Sequence, residues 1–178
     1  MAFGDLREFV AHLEKTGQLR RISAPVSRDL EITEITDRVS KRSGDGNVAL
    51  LFETVEGFSM PVLINAFGSP TRMAAALGVD RLEDLSARVA KLLDLRMPGS
   101  LFDKLRRLGD LLDLAKAGPK RVRSAACQEI VEPDRPNLGT LPVLRSWPGD
   151  AARYITLPLV FTRDPATKAR NVGMYRLQ

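Results

Sequence analysis

Apolar residues recur along the first hundred or so positions with the period of an amphipathic helix, interrupted by short apolar runs and by glycine and proline. Leu6, Phe9, Val10 and Leu13 stand at i, i+3, i+4 and i+7, one stripe of a helix. Asp5 and Glu8 frame its start as a capping box, and Gly17 falls where it should stop. Residues 19–22 lead into Pro25 and suit an edge strand. Ile32, Ile35, Thr36 and Val39 share a second helical face, which the Gly44-Asp45-Gly46-Asn47 cluster breaks. Residues 48–52 and 61–67 read as buried strands joined by a turn at Glu56-Gly57. Ser69-Pro70 is an N-cap with proline in the first helical position, and Gly78 lies just beyond the apolar residues 73–77. Leu82, Leu85, Val89 and Leu92 mark a further helix, broken at Met97-Pro98-Gly99. Residues 101–117 are again helical in pattern until Gly118-Pro119.

The texture then changes. Pro133, Pro136, Pro142, Pro148, Pro158 and Pro165 follow, and helical periodicity vanishes. Val131 and residues 141–144, 155–162 and 172–177 are strand-like, and Asp164-Pro165 through Lys168 joins the last two as a hairpin loop. The expected class is α+β. An amino-terminal α/β domain with a helical linker occupies residues 1–118, and residues 119–178 supply the opening strands of a barrel or sandwich. So few strands cannot easily close a barrel, and the sequence stops within a strand pattern. The expectation is therefore the amino-terminal part of a larger protein, or a chain whose remaining sheet partners lie elsewhere.

Composition narrows the class further. With 44% hydrophobic and 28% charged residues the chain is an ordinary globular one, not a disordered tail. It contains no apolar run of about 18 residues that could span a bilayer, and no secretory leader pattern. One cysteine, Cys127, excludes an internal disulfide, and Cys127 with the single His12 excludes a zinc site built from several such ligands. A cytoplasmic setting is expected, with a peripheral membrane location as its variant. The net charge is +5, but positive and negative residues are interleaved. The basic clusters Lys104-Leu-Arg106-Arg107 and Lys120-Arg121-Val122-Arg123 lack aromatic or motif context, so they read as solvated faces and no nucleic-acid partner is expected.

General signals for catalysis are sparse. There is no phosphate-binding loop and no dinucleotide fingerprint. His12 reads as an exposed helix residue, Cys127 as a buried structural thiol at a strand start, and Glu31 with Glu34 as a solvated pair. The segment from Trp147 onward differs. A turn, Trp147-Pro148-Gly149-Asp150, precedes the apolar run 154–161, which carries a polar Thr156. After the hairpin loop comes Asn171-Val-Gly173-Met-Tyr-Arg176. An Asn and an Arg bracketing a Gly within an apolar strand need partners, and the glycine leaves room for a ligand or another backbone to approach. The plain alternative is an edge strand with Arg176 in solvent.

These segments resemble the UbiD family of prenylated-FMN-dependent decarboxylases. So do Asp5-Leu-Arg-Glu-Phe9, Gly17-Gln-Leu-Arg20, Leu30-Glu-Ile-Thr-Glu-Ile35, Leu50-Leu-Phe-Glu53, Gly57-Phe-Ser-Met-Pro-Val62 and Asn65-Ala-Phe-Gly68. The order of these short words, spread over nearly the whole chain, makes the signal specific. The resemblance implies an amino-terminal α/β domain, then a split β-barrel that binds the flavin, then a dimerising domain beyond residue 178. It implies reversible, non-oxidative decarboxylation of aromatic or α,β-unsaturated carboxylic acids, with ubiquinone or menaquinone biosynthesis as the expected setting. Prenylated FMN, supplied by a flavin prenyltransferase, is expected with Mn2+ and K+ at its phosphate, in a homo-oligomer.

By the same resemblance Asn171 is a metal ligand, and its amide oxygen suits a hard cation that bridges to phosphate. Met174, Tyr175 and Arg176 lie along the flavin, with Thr156 as a further polar cofactor-binding position. Arg176 is the catalytic arginine, whose donor fork meets a carboxylate in two places. Five residues separate Asn171 from Arg176, roughly 16 Å of extended strand, about the span from the phosphate end of a flavin nucleotide to its ring. The odd offset would send the two side chains to opposite faces, so a bulge is expected between them, with Gly173 the natural place. An unbroken ladder through residues 171–176 would count against the assignment. The acidic partners of Arg176 and the remaining metal ligands are expected after residue 178, so the 178-residue chain alone is expected to be inactive. Two alternatives are a non-catalytic assembly or binding module of the same family, and a basic nucleic-acid binder whose affinity would fall steeply with salt.

Overall fold

The computed structural model describes residues 3–93, 122–131 and 133–178. The expected break at 97–99, the helix over 101–117, the division at 118/119 and the first basic cluster lie outside the described residues. Residues Met1–Asp84 and Leu138–Gln178 form one compact unit, and Leu85–Asn137 forms a second.

In the first unit, helix α1 (Leu6–Lys15) opens where Asp5 accepts a hydrogen bond from the Glu8 amide at 2.9 Å. The Glu8 carboxylate reaches back to the Gly4 amide at 2.7 Å, one residue earlier than a strict capping box would have it. Gly17 ends the helix at φ +70°, a conformation that costs glycine little. Strand β1 (Leu19–Ile22) runs parallel to β2 (Ala49–Phe52), which pairs antiparallel with β3 (Val62–Ile64), in the order β1-β2-β3. The expected edge strand is thus an edge, and the Glu56-Gly57 turn joins β2 to β3, with Gly57 at φ +80°. The expected strand over 61–67 stops at Ile64, because Asn65 turns to φ +57° and its amide donates to Asn47 Oδ1 and the Val48 carbonyl.

Helix α2 (Glu31–Ser40) buries Ile32 and Val39 against Val26, Val48, Leu50, Phe52 and Val55, the main core. Phe9 and Leu13 of α1 pack with Ala49 in a second cluster. Helix α3 (Pro70–Leu77) begins with Ser69 accepting from the Arg72 amide and ends at left-handed Gly78, as its punctuation predicts. Arg72 is fully buried. It donates to the Asn47 carbonyl at 2.6 Å, Asn47 Oδ1 at 2.9 Å and Gln18 Oε1 at 3.2 Å. All three acceptors are neutral, and burial lowers its pKa.

The second unit contains most of helix α4 (Leu82–Leu93) and a single-turn helix at Ala126–Gln128. Cys127 lies in that turn and is exposed, which corrects the reading of a buried thiol at a strand start. The small apolar residues before it, Ala125 and Ala126, signal burial only when a strand follows, and none does. Val131, expected in a strand, is likewise exposed and outside any strand.

Candidate cofactor and carboxylate site

The carboxy-terminal part of the first unit is anchored on the amino-terminal part by backbone pairing. The Leu30 amide donates to the Arg145 carbonyl, and the Arg145 amide donates to the Arg28 carbonyl. Around this bridge Arg28 donates to the Leu141 carbonyl, and Thr33 Oγ1 to the Ser146 carbonyl. Arg153 pairs with Asp29 at 2.8 Å. That hydrogen bond, with the charges of Arg153, Arg28 and Arg145, holds the Asp29 carboxyl below its usual pKa.

From this anchor the chain runs into the hairpin of β4 (Leu159–Arg163) and β5 (Arg170–Met174), which are paired antiparallel. The loop closes as expected: Asp164 accepts from the Ala166 and Thr167 amides at 2.8 and 2.6 Å, which depresses its pKa, and Lys168 adopts φ +61°. Directly opposed residues share a face. Leu159 with Met174 and Phe161 with Val172 therefore share one face, which Arg163 with Arg170 completes at the loop end, and the four apolar side chains remain 48–66% exposed. Val160 with Gly173 and Thr162 with Asn171 make the other face.

On that second face Asn171, Gly173 and Tyr175 meet. The Tyr175 ring lies over Gly173, so close that a Cβ there would fall 2.5 Å from Tyr175 Cε2. The ring's hydroxyl reaches Asn171, whose Nδ2 donates to it at 3.3 Å. The room left by the glycine is thus filled by a side chain of the same strand, two positions on. Because the donor end of the Asn171 amide is engaged, its oxygen is the end left to a ligand.

The ladder does break between Asn171 and Arg176, but not at Gly173, which is regularly paired with Val160. Beyond Leu159–Met174 the next pair is Ile155–Leu177, bonded in both directions at 3.0 Å. Three residues (Thr156, Leu157, Pro158) stand between these pairs on one strand and two (Tyr175, Arg176) on the other. This is a bulge, and Pro158, with no amide hydrogen to give, is the reason pairing stops there. The register of the Ile155–Leu177 pair sets Thr156 across from Arg176. Arg176 lays its guanidinium 4.5 Å from the Tyr154 ring centroid. Both Thr156 and Arg176 are exposed, and among the described residues Arg176 has no ion pair. Met174 belongs to the opposite face, apart from Asn171 and Tyr175.

The residues present fit one end of a larger site. Asn171 offers a single hard oxygen, and the described residues contain no cluster of three or more His, Cys, Asp or Glu side chains. A cation held here would need further ligands from outside them. A separate open cavity of about 520 Å³ lies between Asp29–Glu34 and Ser146–Pro148 and includes none of the hairpin residues. Its acidic wall is unsuited to a carboxylate: Glu31 caps the Ser27 amide and Glu34 pairs with Arg38. Tyr154 is the participant that sequence reasoning missed. Its place inside an apolar run marked it as core, and only the bulge brings it to Arg176.

Comparison with known proteins identifies the family of the chain. Residues 10–92 match the family model described as 3-octaprenyl-4-hydroxybenzoate carboxy-lyase N-terminal domain, and residues 120–178 match that of the same enzyme's Rift-related domain. An uncharacterized protein of Aquifex aeolicus (strain VF5) is 46% identical over 176 residues, 99% of this chain and 36% of its own length. Among solved structures, the UbiD-class enzyme HmfF from Pelotomaculum thermopropionicum, in complex with FMN, is 29% identical at TM-score 0.68, covering 97% of this chain and 34% of that one. The closed form of vanillic acid decarboxylase from Sedimentibacter hydroxybenzoicus is 29% identical at TM-score 0.74, covering 99% and 35%. The chain spans about a third of the length of these relatives. It belongs to the UbiD family.

Proposed function

We propose that this chain supplies the flavin-phosphate and carboxylate-binding strand of a decarboxylase that acts on aromatic or α,β-unsaturated acids with prenylated FMN. The observation that carries the reading is the last strand. One of its faces carries Asn171 beside Tyr175, and past the end of the regular ladder stands Arg176, which has no ion pair among the described residues and lies against Tyr154. In this reading Asn171 is a ligand of a Mn2+ ion, accompanied by K+, at the flavin phosphate, and Thr156, Met174 and Tyr175 line the cofactor. Arg176 grips the substrate carboxylate. When bound, the modified flavin supplies the electron sink for loss of CO2. The chain's own contribution is to hold one end of the nucleotide through a cation and to orient the acid through a fixed, permanently charged fork. A barrel domain over 119–178 following an α/β domain over 1–118, a homo-oligomer, a partner flavin prenyltransferase and a place in quinone biosynthesis complete the proposal.

Titrating the 178-residue chain, and a version extended to the length of its relatives, with prenylated FMN and MnCl2 tests this. The expected result is retention of the flavin and release of CO2 by the long form only. Tight binding or turnover by the short form, or no flavin retention by the long one, would refute it.

A further inference from the structure

We infer that Tyr154 is the positioning residue that holds Arg176 ready for a carboxylate. The inference rests on the reading of Arg176 as the carboxylate-binding group. A guanidinium has a cationic face and an in-plane fork of five N–H donors. Carboxylates engage the donors of that fork in its plane. An aromatic ring takes only the face, through the ring quadrupole, and leaves all five donors to carboxylates. The ring contact is present: Arg176 Cζ stands 4.5 Å from the Tyr154 centroid.

The backbone that carries the ring is held on both sides. The Tyr154 amide donates to the Leu144 carbonyl at 3.2 Å, and the next residue, Ile155, is bonded in both directions to Leu177, the residue after Arg176. On the other flank Arg153 is tied to Asp29 at 2.8 Å. Tyr154 and Arg176 are therefore held as diagonal neighbours by main-chain bonds. The bulge at Thr156–Pro158 is what frees Arg176 from the regular ladder and lets it lean over the ring. Restricting a long, flexible side chain to one orientation before the ligand arrives removes part of the ordering cost of binding.

The test uses the 178-residue chain with Arg176 observed through its Nε–H NMR signal and sodium benzoate as the probe. In the unmodified chain the Arg176 side chain should show NOEs to the Tyr154 ring, and its signal should be shifted upfield by the ring current. Tyr154→Leu should remove that upfield shift and weaken the benzoate response between about two- and five-fold, the range expected for loss of an exposed cation–π contact. Tyr154→Phe and Tyr154→Trp keep the face and should keep both properties. Absent NOEs, an Arg176 signal indifferent to Tyr154→Leu, or equal benzoate affinity in the Leu and Phe variants would overturn the inference. If Arg176→Gln leaves the benzoate response intact, the carboxylate reading of Arg176 fails instead. The NOEs and ring-current shift report the clamp independently of that outcome.

Discussion

Gly173→Ala is the most informative single change in the hairpin, because the structure sets both its cost and its reach. The added Cβ would lie 2.5, 2.9 and 3.0 Å from Tyr175 Cε2, Cζ and the hydroxyl oxygen. Carbon atoms in comfortable contact stand about 3.5–4.0 Å apart, so the ring must move by roughly 1 Å or swing away. Gly173 is not among the residues with positive φ, so alanine meets no backbone strain. Tyr175 is already 52% exposed, and expelling it uncovers a limited apolar area, a loss on the order of 1 kcal/mol. Loss of the 3.3 Å bond to Asn171 adds about 0.5 kcal/mol. Replacing a strand glycine by alanine returns about 0.5–1 kcal/mol. The net is a destabilisation below about 1 kcal/mol, or at most roughly five-fold faster exchange of the hairpin amides. Amide hydrogen exchange on Gly173→Ala, Tyr175→Ala and the double variant provides the measurement. With the ring absent, the alanine should be neutral or protective, which gives a coupling of about 1 kcal/mol. Equal cost of Gly173→Ala with and without Tyr175 would refute the packing argument.

Three further outcomes follow from other parts of the chain. Arg72→Met should cost on the order of 1–3 kcal/mol in urea unfolding, because it takes from the half-buried Asn47 carbonyl the guanidinium donor at 2.6 Å, while Asn47 Oδ1 keeps its bond from Asn65. Phe52→Ala, at a fully buried position of the main core, should cost about 3–5 kcal/mol by the same assay. Asp29 has a folded pKa below its unfolded one, so its contribution is present above the unfolded carboxylate value near 3.9 and is lost as pH falls through the folded value. The stability difference between the unmodified chain and Asp29→Asn should therefore vanish in the acid limit. It should stay below about 1 kcal/mol at neutral pH, since both partners are about two-fifths exposed.

Local grammar carried much of the fold in the sequence. Asp5, Gly17, Ser69-Pro70 and Gly78 act at helix ends through bonds within a few residues of themselves, so their meaning does not depend on distant neighbours. The turns at Gly57 and at Asp164–Lys168 were legible for the same reason. What could not be read depends on distant contacts. Arg72 resembles any helix arginine until Asn47 and Gln18 close around it. Cys127 was misread because its exposure is decided by what packs nearby, not by the alanines before it. In the candidate site, Asn171 and Arg176 stood out as polar residues in an apolar strand, and the odd spacing called for a bulge between them; the ladder is interrupted there, but the extra residue stands on the facing strand. Its location followed Pro158 on the opposite strand rather than Gly173, since the proline withholds a donor while the glycine is still paired. Tyr154 was hidden because only that bulge makes it a neighbour of Arg176.

The central claim divides two tasks between two residues of one strand, and one paired measurement addresses it. In the protein extended to the length of its relatives, flavin content after desalting and CO2 release are measured side by side for Asn171→Ala and Arg176→Gln. The account predicts that Asn171→Ala loses the flavin, and that Arg176→Gln keeps it but no longer releases CO2. Full flavin retention by Asn171→Ala together with undiminished CO2 release by Arg176→Gln would contradict it.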